Sequence, residues 1–185
     1  MPATPSRSFL ARARAVALAV LACAALAGCG GNEDAFAPAC PGLALVPNGA
    51  DLTRFNGGGQ DVSNLLITGR ITAVPAQCQR GDEPHTVKAT LHVEASFRRG
   101  PAAGAAVAPI GYFVALMRAG RVVQEQDFTF APGFAPNDDY ASVKGDDIEL
   151  VVPVSRKTSA AVYTIYVGFR LTRGELAYNQ SHPRP

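Results

Sequence analysis

Tryptophan is absent from this 185-residue chain, so the aromatic part of any core falls to nine Phe and five Tyr. No G-x-S-x-G, H-E-x-x-H, P-loop or C-x-x-C pattern occurs. Those absences remove the signatures of nucleophile-elbow hydrolases, zinc metalloproteases, P-loop nucleotide binders and thioredoxin-like redox proteins. No internal repeat is visible, and after residue 29 no stretch sustains helical periodicity. The longest apolar run, Ala15 to Leu26, falls short of the roughly 20 residues a membrane-spanning helix needs.

That run is informative in another way. It follows a segment carrying Arg7, Arg12 and Arg14 with no acidic residue, and it ends in Leu26-Ala27-Gly28-Cys29. A basic region, a short apolar region and small residues before a cut site make a secretory signal. The four-residue motif resembles the lipobox of bacterial lipoproteins. The resemblance implies cleavage before Cys29, a diacylglyceryl thioether on Cys29, and two or three acyl chains in all. One chain alone anchors only marginally, at about 0.8 kcal/mol per buried CH₂. Gly30, not Asp, follows the cysteine, and the resemblance then implies export to the outer membrane, facing the periplasm. Ordinary secretion is the alternative, since Ala25-Leu26-Ala27 also fits a small-x-small cut.

Removing residues 1–28 changes the charge. Three of the 17 basic side chains and none of the 15 acidic ones lie there, which leaves a net charge of about −1. A nucleic-acid partner loses its electrostatic basis, because binding phosphates takes a basic face. Of the four cysteines, Cys23 leaves with the signal and Cys29 takes the lipid. Cys40 and Cys78 remain, and in an oxidising compartment a disulfide is expected, with free thiols as the alternative.

The expected organisation is a signal peptide (1–28), a lipidated cysteine with a short tether (29–39) and one domain (40–185). Gly30 to Ala39 is small, polar and broken by Pro38, and reaches at most about 35 Å. Beyond it, period-two patterning predicts strands. The clearest runs from Thr86 to Arg98: Val87, Ala89, Leu91, Val93, Ala95 and Phe97 face one way and polar residues the other. Ile110 to Met117 is apolar on both faces and reads as a central strand. Arg118-Ala119-Gly120-Arg121 reads as a hairpin turn, and Val122 to Phe130, with Gln124 to Asp127 at its middle, as a protected edge. Ala131 to Gly145 is expected to be a loop, and Thr172 onward a polar tail. The fold class that follows is all-β, an antiparallel sandwich of about seven strands. Tyr163 to Val167 resembles the late strand of immunoglobulin-like or fibronectin-type domains, and a small β-barrel is the alternative.

No catalytic residue, metal site or cofactor is assigned. His85, His92 and His182 read as surface histidines. Asp138-Asp139 and Asp146-Asp147 bracket one loop and could hold Ca²⁺, although their spacing matches no calcium loop. Gly57-Gly58-Gly59 reads as a flexible turn. Asn137, Asp138, Asp139 and Tyr140, in the Ala131–Gly145 loop, are the candidate binding residues. The functional expectation is a non-catalytic, lipid-anchored envelope protein that binds a protein partner or supports an assembly. Carriage of a small apolar molecule, lipid or glycan is the alternative, and a hydrolase with an unrecognised carboxylate pair is a third reading.

Overall fold

The computed structural model describes residues 38–104 and 107–183. In chain order the strands are β1 (Gly42–Leu45), β2 (Asp51–Phe55), β3 (Leu65–Ala73), β4 (Ala76–Arg80), β5 (Thr86–Leu91) and β6 (Glu94–Arg99). They are followed by β7 (Ile110–Arg118), β8 (Arg121–Phe130), β9 (Tyr140–Lys144), β10 (Ile148–Pro153) and β11 (Tyr163–Phe169). One helix, α1 (Arg173–Ser181), ends the described chain.

The architecture is an all-β sandwich with open sheets and no closed barrel. One layer has the order β1-β11-β7-β8. The other is made of β2-β3-β6-β9 and β10-β5-β4, which share three chain passes. Each pass breaks at the same level: at Val74-Pro75, at His92-Val93 and at residues 145–147. Backbone bonds cross the break, from His92 N–H to the Pro75 carbonyl (3.3 Å) and from Gly145 N–H to the Val93 carbonyl (2.9 Å). A crease therefore runs across this layer. The expected single strand over Thr86–Arg98 is in fact β5 and β6, although its in-out alternation survives the crease intact.

Burial follows the alternation. Val87, Ala89, Leu91, Val93, Ala95 and Phe97 are all buried, as their shared face requires. β7, flanked by β11 and β8, buries side chains along nearly its whole length. β8 ends its layer and carries Glu125 and Asp127 outward, as the edge reading expects. Between the layers Phe97, Tyr112, Phe130 and Phe169 meet ring to ring, with centroids 4.1 Å apart for Tyr112–Phe130 and 5.6 Å for Phe97–Phe130. Gly69, paired across the strands with Phe97, makes room for that ring; a Cβ there would lie 2.7 Å from it.

Four features depart from the sequence reading. β1 pairs in parallel with β11, whereas the other pairings described are antiparallel. β9 occupies part of the expected Ala131–Gly145 loop, because Ala141 and Val143 find inward places against β6. The expected polar tail forms α1. Its start is fixed by Thr172, whose hydroxyl accepts from Glu175 N–H while the Glu175 carboxylate accepts from Thr172 N–H. The turn after β7 uses positive φ at Ala119 (48°) as well as at the expected Gly120 (74°). A two-residue turn of this kind follows the twist of the strands it joins.

Candidate functional site

The crease opens a cleft of about 320 Å³ on the outer face of its layer, walled by Pro75, Gln77, Thr90, His92, Lys144 and Asp147. His92 is only half-buried and faces outward. Its Nε2 lies 3.2 Å from Glu94 Oε1 and its Nδ1 3.4 Å from Asp147 Oδ1. Lys144 Nζ stands 4.0 Å from the same Asp147 carboxylate. The two ring nitrogens thus face two different carboxylates, and among the described residues neither bonds a hydroxyl that could serve as nucleophile. This is a clamp across the crease and lacks the hydrogen-bonded nucleophile of a catalytic triad.

Asn137, Asp138, Asp139 and Tyr140 lie together at the end of the sandwich to which β8 leads. Asn137 takes a positive φ (62°). Asp138 N–H donates to the Ala135 carbonyl (3.1 Å), and its carboxylate accepts from Tyr140 N–H (2.9 Å). Arg99 fixes the turn from outside. Its guanidinium donates to the Asp138 carbonyl (2.8 Å) and its N–H to the Asp139 carbonyl (2.7 Å). The same guanidinium sits 5.1 Å above the Phe134 ring. Tyr140 then starts β9, is 49% exposed and has its hydroxyl within 3.2 Å of Ser142 Oγ, which donates to it. β9 is the outermost strand here, so one row of its backbone groups faces away from the sheet.

The second acidic pair does not join the first. Asp146 and Asp147 sit at the crease, a full β9 away, about 17 Å at 3.4 Å per residue. Among the described residues no three His, Cys, Asp or Glu side chains are grouped to hold a metal ion. Gly57 and Gly59 take positive φ (91° and 139°) in the turn after β2.

Cys40 and Cys78 are joined in a disulfide, with Cα atoms 5.7 Å apart. Cys29, the signal peptide and residues 29–37 of the tether lie outside the described residues. No helix among the described residues is long and apolar enough to cross a membrane.

A second polar cluster went unread in the sequence. Glu175 of α1 is buried and accepts from Arg54 Nε of β2 at 2.7 Å. Buried Asn179 donates to the carbonyls of Asn48 (2.9 Å) and Asp51 (2.7 Å). Tyr178 stacks on His182 and meets Phe55 edge-on. The one local signal was the Thr172-x-x-Glu175 spacing of a capping box. These bonds seat the helix on β2 and satisfy its buried carboxylate, Glu175, which suits a structural part.

Four ionisable groups among the described residues have shifted affinities for the proton: Asp61, Arg70, Tyr112 and Arg170. The Arg170 guanidinium is raised by hydrogen bonds to Asp127 and then Glu125, and it also covers the Phe113 ring at 4.4 Å. Burial, and next the charge of Asp146, raises the Tyr112 hydroxyl above its ordinary value. The folded protein then keeps this proton where the unfolded chain releases it. Its contribution is full below pH about 10 and is lost as pH rises through the folded value. Tyr112→Phe is expected to flatten the alkaline limb of stability, measured as the guanidinium unfolding midpoint against pH.

Compared with protein-family models, curated proteins and solved structures, the chain matches none.

Proposed function

We propose that this chain is a lipid-anchored cell-envelope protein, held in the outer membrane through Cys29 and facing the periplasm. Its domain binds a protein partner and catalyses no reaction. The observation that carries the docking part is the turn at residues 134–140: ordered by Arg99, acidic at its rim and ending in a half-exposed tyrosine on an open strand edge. A preordered loop loses little conformational freedom on binding, and tyrosine is enriched among residues that dominate interface energies. Docking is favoured over carriage of an apolar molecule because aromatic rings fill the space between the layers around Phe130.

The test is cross-linking of the full-length protein in its native membrane, followed by identification of what co-purifies. A stoichiometric envelope protein supports the reading, and a lone protein shifts weight to carriage. Deleting 131–145 would remove β9 together with the loop, so the loop is tested by Tyr140→Ala. That change is expected to weaken capture about 30-fold, the effect of a loss near 2 kcal/mol, with the far-ultraviolet circular dichroism and the melting temperature unchanged. Undiminished capture removes this loop from the interface.

A further inference from the structure

One end of the sandwich differs from the rest in charge and texture, and it is the end where the described chain begins. Four pieces meet there: residues 38–41, the turn between β4 and β5, the turn between β7 and β8, and the connection from β10 to β11. Cys40 is bonded to Cys78 of β4, and Val154 N–H donates to the His85 carbonyl at 2.8 Å. Gly42 pairs with Thr164, and Tyr163 pairs with Arg118.

Arg118, Arg121, Arg156 and Lys157 are exposed at this end, and among the described residues none of the four is in an ion pair. Arg118 and Arg121 stand opposite each other across the β7–β8 ladder, an arrangement that like-charge repulsion disfavours. Arg118 spreads over the Tyr163 ring at 5.5 Å. The acidic groups here are Asp82, 3.6 Å from Lys88 Nζ, and Glu83; His85 and Arg80 flank the same turn. Between the cations stand Val122 (55% exposed), Val123 (47%) and Val162 (52%). Cations interleaved with exposed apolar side chains suit a phospholipid interface, where phosphates take the charges and the headgroup region takes the apolar tips.

We propose that this end of the domain rests on an anionic phospholipid leaflet, with Arg118, Arg121, Arg156 and Lys157 against lipid phosphates. The proposal builds on the reading of Cys29 as the lipidated residue. Pro38 lies nine steps along the chain from Cys29, at most about 32 Å, so an anchor at Cys29 holds this end close to the bilayer. The acidic turn at 134–140 then faces away from the leaflet, because β8 runs from Arg121 at the basic end to Phe130 at the other.

The test places the full-length protein in vesicles of phosphatidylcholine alone or with added phosphatidylglycerol and follows backbone hydrogen exchange. Amides of 118–123 and 155–162 are expected to exchange several-fold more slowly in the anionic vesicles. The difference should vanish in about 1 M salt, where the screening length falls to about 3 Å, and in the R118E/R121E/R156E/K157E variant. Equal exchange in both vesicles overturns the proposal. So does slowing of these amides only in native membranes, which would mark an acidic protein as the occupant. The mass of the mature chain from the same samples reads the anchor separately. If it lacks the diacylglyceryl group, the lipidation reading fails and co-sedimentation of the unlipidated full chain decides the docking face. Pelleting with phosphatidylglycerol vesicles, weakened about fivefold per cation removed, supports it; no pelleting overturns it.

Discussion

Cys29→Ala is expected to free the protein from the membrane fraction or leave it as an unprocessed precursor. Alanine has no sulfur to carry a thioether, so the acyl chains have nowhere to attach. The effect is close to all-or-none, because stable anchoring takes at least two signals and this change removes the acyl chains together. Fractionation followed by intact mass reads it. Unaltered processing with full membrane retention would sink the lipobox reading. The domain itself should be untouched, since Cys29 precedes its first described residue, Pro38.

Cys78→Ala is expected to cost about 4 kcal/mol on the chain-entropy estimate for a loop this long, with engineered cases often lower. The bond spans 38 positions and ties the entry of the chain to β4. For a domain of this size the loss corresponds to a fall in melting temperature of roughly 8–16 °C. Thermal circular dichroism measures it, and a reducing agent supplies the internal control. Reduction should lower the melting point of the parent protein and leave the variant where it is. A parent insensitive to reductant would remove the disulfide from the stability account.

Strands whose faces are set residue by residue were legible in the sequence. Val87 through Phe97 alternate without exception, and the alternation continues across the crease. The crease itself was hidden, because it arises where three passes distant in sequence break at one level. β4 (Ala-Gln-Cys-Gln-Arg) carries little apolar pattern, and its place depends on β5 and on Cys40. β9 is five residues between acidic turns, too short for its two inward side chains to announce it. α1 has the same difficulty: its partners, Arg54, Asn48 and Asp51, lie more than a hundred positions away. At the candidate site the acidic loop and Tyr140 stood out by composition. Arg99, which orders them, did not, because its contacts reach about 39 positions along the chain.

The bond between Cys40 and Cys78 also has a mechanical side. If the domain is moored through Cys29 as proposed, a pull away from the surface puts tension on the chain that leads into Cys40. Without the disulfide it would fall on β1, four residues held to β11. With it, the load divides at Cys40 and passes into β4, then through five paired residues into β5 in the middle of its sheet and on to β10 at the far edge. The pull is spread before it reaches the short parallel strand, and a moored domain can be tugged without its first strand coming loose.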